Sequence, residues 1–296
     1  MQTKRERIHV VCDGADPRLQ GSLRDLLAWF RSKGVELTGV SDRGSKTIDP
    51  GDADLLVILG GDGAILSTAT RLSGHQVPCV GLRLGRFGFL AELEPSTCNA
   101  DLERLLAGEG RVVERFLLRC EVWRGDQGQP PELALNDAVI AARTAARMLN
   151  LDLLVDDEPV ATYSGDGLII STPVGSTAYS LAAGGPVVEP GSRSILVTPL
   201  APHTLASRPL VLDAERRLTI RPAYRQQRSA SLVLDGQRMV PLSIDHEVRV
   251  RRAERPLRLV SIVNRSFFQT LREKFRWGGS VPLLDEDPPE DGDHGS

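Results

Sequence analysis

The chain has 296 residues and a mass of 32.2 kDa, enough for two domains that each bury a core. With 41% hydrophobic and 25% charged residues, its composition is that of a folded globular protein and excludes a disordered or fibrous one. A net charge of −3 gives no reason to expect a nucleic-acid partner, so any anionic ligand must be held by local groups.

In chain order, Met1–Arg7 is basic, but the alternating run Ile8–Cys12, ending at Asp13-Gly14, reads as a first strand and not as a signal peptide. No apolar stretch approaches the ~20 residues that cross a bilayer, so a soluble, cytoplasmic protein without a membrane partner is expected. Leu23, Leu26, Leu27 and Phe30 fall on one helical face that stops near Gly34. Val35–Val40 is a second strand and Asp52–Leu59 a third; Leu55–Leu59 is the continuous aliphatic run of a strand buried on both faces. Ile65, Leu66, Ala69 and Leu72 predict a helix to Gly74, Val77–Leu84 another strand, and Leu102, Leu105 and Leu106 a further helix ended by Gly108. Strands alternating with helices imply a parallel sheet with helices packed on it.

After about residue 112 the pattern changes to many short β-like runs, separated by turn clusters such as Arg124-Gly125-Asp126, Asp156-Asp157-Glu158-Pro159 and Asp235-Gly236. This predicts a mainly β, layered second domain. The expected organisation is therefore an α/β domain over 1–114, a β-rich domain over 115–265, a helix over 266–282 from the spacing of Phe267, Leu271 and Phe275, and an acidic, proline-bearing, disordered tail over 283–296. Cys12, Cys79, Cys98 and Cys120 lack the spacing of a zinc site or redox dithiol and read as buried free thiols; no histidine pair has a metal-binding helical spacing.

Two stretches carry chemistry. In Gly60-Gly61-Asp62-Gly63, at the end of the aliphatic strand, the glycines leave room for a ligand beside the unpaired N–H groups of the next helix, which suit a phosphate. Asp62 is either a helix cap or a carboxylate that works on the substrate. The second stretch, Ser164–Pro190, repeats Gly-Asp-Gly at Gly165-Asp166-Gly167 and continues through a Ser/Thr/Gly loop to Tyr179 and Gly184-Gly185-Pro186. Hydroxyls and main-chain N–H groups there suit ribose or phosphate, and the Tyr179 ring suits a planar base.

Gly60–Gly63, Gly85–Leu90, Asn136-Asp137, Asp166–Pro186, Pro202-His203-Thr204-Leu205 with Arg208-Pro209, and Asp235-Gly236-Gln237 together resemble the successive motifs of NAD kinases. The first turn alone is shared with phosphofructokinases and with lipid kinases; the long central run is the specific part. The resemblance implies an α/β N-terminal domain, a β-rich C-terminal domain, and a C-terminal helix returning to the first domain. It also implies a homodimer or homotetramer with the site between domains and subunits. The implied reaction moves the terminal phosphoryl group of ATP, or of inorganic polyphosphate, to the adenosine-ribose 2′-hydroxyl of NAD. The alternatives are a non-catalytic NAD- or NADP-binding regulator and, on the first turn alone, a lipid or sugar kinase.

By the same resemblance Asp62 is the catalytic carboxylate, and Gly60, Gly61 and Gly63 face the donor phosphates. Phe89, Asn136, Asp137, Asp166, Thr177, Ala178, Tyr179 and Ala182 contact NAD. Mg²⁺ is expected on the donor phosphates and no protein metal site is expected. Four positions depart from the family: Ala64 replaces a usual threonine, Arg83 an asparagine, Asp137 a glutamate, and Val174 a threonine or serine. Ala64 loses a hydroxyl near the phosphate site, and Arg83 suggests either a phosphate contact or a surface side chain. His203 and Arg208, between Pro202 and Pro209, read as loop-fixing residues.

Overall fold

A computed structural model describes residues 6–72, 77–83, 88–94, 97–142, 148–204, 206–223, 230–262 and 266–277. The tail over 283–296 and the loop tip over 84–87 lie outside them.

The first layer contains β1 (Arg7–Cys12), α1 (Pro17–Ser32), β2 (Glu36–Asp42), β3 (Leu55–Leu59), α2 (Asp62–Ala69), β4 (Cys79–Leu82), α3 (Cys98–Leu106) and β5 (Arg111–Arg115). Asp16 caps α1 by accepting from the Arg18 N–H, with Pro17 at the first helical position, where its missing N–H has no cost. β3 is buried at every residue. Leu55, Val57 and Leu59 face α1 and α3, while Leu56 and Ile58 face α2, the two-sided burial its aliphatic run predicts. α2 ends at Ala69, short of the expected Gly74, because Arg71 and Leu72 turn away to pair with Ile48.

The β-rich part begins with β6 (Leu118–Arg124), β7 (Gln127–Gly128), β8 (Glu132–Ala134), β9 (Asp137–Ala142), β10 (Leu149–Val155), β11 (Glu158–Gly165) and β12 (Gly167–Ser171). A 3-10 turn (Gly175–Thr177) and the short α4 (Tyr179–Ala182) follow. Then come β13 (Ser194–Leu200), β14 (Leu210–Asp213), β15 (Leu218–Pro222), β16 (Ala230–Leu234), β17 (Arg238–Leu242), β18 (His246–Arg252) and β19 (Leu257–Ser261). One antiparallel sheet runs β11-β10-β15-β18-β6-β7, with β8 on β6; the other runs β14-β13-β12-β9-β16-β17. Their inner faces share one core: Leu151, Ile220 and Val250 from the first meet Ile140, Ile170 and Leu232 from the second. This is the expected layered arrangement.

The first sheet has the order β2-β1-β3-β4-β19-β5. Its pairs are parallel except β19 with β5. Leu257–Ser261, expected within the β-rich segment, therefore returns to the first sheet, where Leu259 pairs with Cys79 and β5 flanks it. Its apolar residues suit either layer, so the sequence pattern did not reveal the return. β1 and β3 lie side by side while β2 and β4 leave in opposite directions. Divergence of this kind marks the carboxyl ends of the strands as the edge where α/β sheets bind ligands, and β3 delivers Gly60–Gly63 to that edge.

Residues 6–262 belong to one compact unit and the C-terminal helix to another. Within the latter, α5 (Phe267–Phe275) opens with a capping box: Ser266 Oγ accepts from the Gln269 N–H, and the Gln269 side chain accepts from the Ser266 N–H.

Candidate active site

At the end of β3 the chain turns through Gly60 at φ 149°, where a Cβ would stand 2.7 Å from the Ala64 Cβ, so glycine is required. Gly61 and Gly63 have open space where a side chain would be. Of the first-turn N–H groups of α2, that of Ala64 turns back to the Gly61 carbonyl at 2.9 Å, while those nearer the start are the ones a helix leaves without intrahelical partners. Asp62 is the first residue of α2, and the cap position is Gly61. Its carboxylate caps nothing: it accepts from the backbone N–H groups of Phe89 at 2.6 Å, Leu90 at 3.1 Å and Ala91 at 3.0 Å. The helix-cap alternative is thereby removed.

A second cluster forms around Asn136 and Asp137. The tight turn joining β16 to β17 places Asp235 at φ 50° and Gly236 at φ 65°, the doubly left-handed turn that Asp-Gly favours in hairpins. The Asp235 carboxylate accepts from the N–H groups of Leu135, Asn136 and Asp137 at 2.9, 2.7 and 3.1 Å. Next to it, Gln237 Nε2 donates to the Gly63 carbonyl at 3.1 Å. One hairpin tip thus holds both the glycine turn and the Asn136-Asp137 segment. Asp137 is buried, and desolvation, with the neighbouring Asp235 charge, pushes its carboxyl up to about 7. Burial also raises Asp235, against the lowering effect of its three N–H donors.

The Ser/Thr/Gly loop packs on the same segment. Thr172 donates its N–H to the Asn136 carbonyl and its hydroxyl to the Leu135 carbonyl, and a methyl at Gly175 would overlap the Asn136 carbonyl. Ser176 Oγ joins Pro173 to Val188, donating to the Pro173 carbonyl and accepting from the Val188 N–H. Thr177 and Phe89 line one cleft with Leu90, Val174 and Arg115. α4 then folds back over the second sheet, where the Ser180 and Thr198 hydroxyls pair at 2.8 Å and Ala183 packs near Ile169 and Leu200. Tyr179 and Ala182 are exposed, and Ala178 lies between the 3-10 turn and α4.

The structure therefore assembles Asp62, Gly63, Phe89, Asn136, Asp137 and Thr177. It does not bring Asp166 into contact with them. Asp166 precedes β12, whereas Ser171 at the far end pairs with Asp137, and the intervening strand spans roughly 17 Å. The departures also acquire places. Ala64 and Val174 are buried and pack in the core around α2, and Val174 also edges the cleft of Phe89 and Thr177. The Arg83 side chain is 12% exposed and pairs with Glu94, so it is not a surface side chain. His203 donates its N–H to the Ser164 carbonyl, fixing the loop after β13, and Arg208 Nη1 donates to the Ser207 carbonyl.

Three residues were missed as site members. Asp235 and Gln237 were legible as a hairpin turn and as part of the family-like Asp235-Gly236-Gln237 motif, but neither signal tells what the tip touches. Arg115, at the end of β5, lines the cleft, and burial lowers its pKa; nothing in its sequence neighbourhood distinguishes it. The four cysteines are free, three of them buried, with the Cys79 thiol pushed up to about 12 by desolvation. Among the described residues no three His, Cys, Asp or Glu side chains are grouped to hold a metal ion.

Residues 37–110 match the ATP-NAD kinase N-terminal domain and residues 135–262 the ATP-NAD kinase C-terminal domain. The chain is 39% identical to an NAD kinase of Geobacter metallireducens over 282 residues, covering 92% of this chain and 99% of that protein. It is 44% identical to an NAD kinase of Heliobacterium modesticaldum over 227 residues, covering 76% and 79%. Among solved structures, an Archaeoglobus fulgidus NAD kinase in complex with ATP superposes with a TM-score of 0.74 at 28% identity, covering 91% of this chain and 98% of that one. Yeast NADH kinase complexed with NADH shares the fold, with a TM-score of 0.82 at 23% identity over 95% and 91%.

Proposed function

The chain belongs to the NAD kinase family, and from that premise we propose that it phosphorylates the adenosine-ribose 2′-hydroxyl of NAD with the terminal phosphoryl group of ATP, forming NADP. The observation that carries this reading is the double hold of the Asp235–Gln237 tip. It fastens the Gly60–Gly63 turn, suited to donor phosphates, to the Asn136-Asp137 segment, suited to the acceptor. Matches to both domains leave a lipid or sugar kinase without support.

Phosphoryl transfer asks a protein chiefly to align the reactants and neutralise charge. Gly60, Gly61 and Gly63 let the donor phosphates approach the N-terminus of α2, where Mg²⁺ arrives with ATP as part of the substrate. Three of the roughly four acceptor positions of the Asp62 carboxylate are filled by N–H donors. The fourth, on Oδ2, receives the ribose hydroxyl, orients it and takes its proton as the new P–O bond forms and the bond from the γ-phosphorus to the bridging oxygen of the departing ADP breaks. Phe89 and Thr177 line the dinucleotide cleft, Asn136 and Asp137 bind ribose or base, and Ala178, Tyr179 and Ala182 offer an exposed aromatic and backbone platform.

Asp166 stands at the other end of β12, so we assign it to the site of a neighbouring copy in a homodimer or homotetramer. Free thiols accord with a reducing, cytoplasmic setting, and no described helix is long and apolar enough to cross a membrane. Purified protein given NAD, Mg²⁺ and ATP should yield NADP. Absence of NADP with ATP and with polyphosphate would overturn the assignment.

A further inference from the structure

We infer that Asp62 is also a positioning residue for the wall of the dinucleotide cleft: its carboxylate holds Phe89–Ala91 against the first turn of α2. This inference deepens the kinase reading and rests on it only for the identity of the ligand.

Three consecutive backbone N–H groups converge on this one side chain, with Leu90 and Ala91 on Oδ1 and Phe89 on Oδ2. Such charge-assisted bonds are about twice as strong as neutral ones, and here they are made by the residues that line the cleft, Phe89 and Leu90. The approach is close: a methyl at Gly88 would overlap the Asp62 carboxylate. On the other side the segment lies against β4, where a Cβ at Gly81 would meet the Ala91 Cα at 3.1 Å.

The base of the loop is closed independently. The Arg83 N–H donates to the Leu93 carbonyl at 3.1 Å, the Leu93 N–H donates to the Gly81 carbonyl at 3.1 Å, and Arg83 pairs with Glu94. Arg83 thus braces the neck of the loop while Asp62 holds the part that faces the ligand. The carboxylate that receives the ribose hydroxyl and the ring beside it are consequently set by one group. An amide at position 62 cannot substitute. With two N–H donors on one oxygen and a third on the other, Asn must turn its own NH₂ toward at least one donor.

The test combines backbone hydrogen exchange with binding and kinetics. In Asp62→Asn the amides of Phe89, Leu90 and Ala91 should exchange at least about tenfold faster than in the wild type, and calorimetric affinity for NAD should fall about tenfold. Gly88→Ala, which keeps the carboxylate but displaces it, should raise the KM for NAD by about tenfold and leave the KM for ATP unchanged. Unchanged exchange at the three amides in Asp62→Asn overturns the inference. If that variant does not fold, a wild-type KM for NAD in Gly88→Ala does so. Exchange is read without substrate, so a wild type with protected amides that fails to form NADP refutes the kinase reading and leaves the clamp standing.

Discussion

Gly-Asp-Gly occurs twice in this chain, and the two copies do opposite things. At Gly61-Asp62-Gly63 the glycines face open space and three backbone donors hold the carboxylate. At Gly165-Asp166-Gly167 the glycines are filled in and the carboxylate is open. A Cβ on Gly165 would stand 2.6 Å from the Leu200 carbonyl, one on Gly167 would overlap the Ile140 carbonyl, and the exposed Asp166 side chain has no hydrogen-bond partner among the described residues. The difference follows from the flanking elements. The first copy joins a buried parallel strand to a helix, where glycine admits a ligand; the second joins strands of two different antiparallel sheets, where glycine admits a neighbouring backbone. Spacing alone does not distinguish these uses.

Substitutions at the two aspartates should separate them most widely. Asp62→Ala is expected to lower turnover at saturating substrates on the order of 10³-fold. Asp166→Ala should raise the KM for NAD by roughly tenfold and leave turnover nearly intact; steady-state kinetics on both variants checks this. The glycines should show the reverse order in stability. Gly167→Ala should cost roughly 2–4 kcal/mol in denaturant unfolding, because strand backbones must separate. Gly63→Ala, in open space within a helix, should change stability by less than about 1 kcal/mol while still impairing catalysis.

The hairpin tip that holds the first copy can be tested in the same way. Asp235→Ala leaves three N–H groups without their acceptor and should destabilise the protein by roughly 2–3 kcal/mol, seen as a lower denaturation midpoint. A pH-dependent effect belongs to Asp137. Its carboxyl is raised to about 7 in the fold, so the folded chain keeps a proton that the unfolded chain releases near pH 4. The resulting stabilisation is complete below about pH 4 and is lost as the pH rises through 7. Between pH 4 and 7 the wild type should therefore lose stability progressively relative to Asp137→Asn and level off above pH 7, measurable by unfolding at several pH values.

The fold was legible where periodicity and burial agree. Leu55–Leu59 declared a two-sided strand, and Leu23 to Phe30 an amphipathic helix. β11 escaped notice because it is an edge strand pairing only with β10, largely exposed, with Pro159 at its second position. α4 has four residues, too few for a period to register. The return of Leu257–Ser261 to the first sheet is a long-range pairing that no local pattern encodes. Within the site, the types of residue were readable but their partners were not. Asp62 was visible as an unusual carboxylate, yet its donors lie 27 to 29 positions away, and the hold of Gln237 on Gly63 spans 174.

The contrast between the two aspartates is tested most directly by NADP formation from saturating NAD and Mg·ATP, with wild type, Asp62→Asn and Asp166→Asn compared side by side. The structure predicts a wild-type enzyme that forms NADP, an Asp62→Asn protein at least about 10²-fold slower, and an Asp166→Asn protein within about tenfold of wild type. Equal losses at the two aspartates, or a larger loss at Asp166, would contradict it.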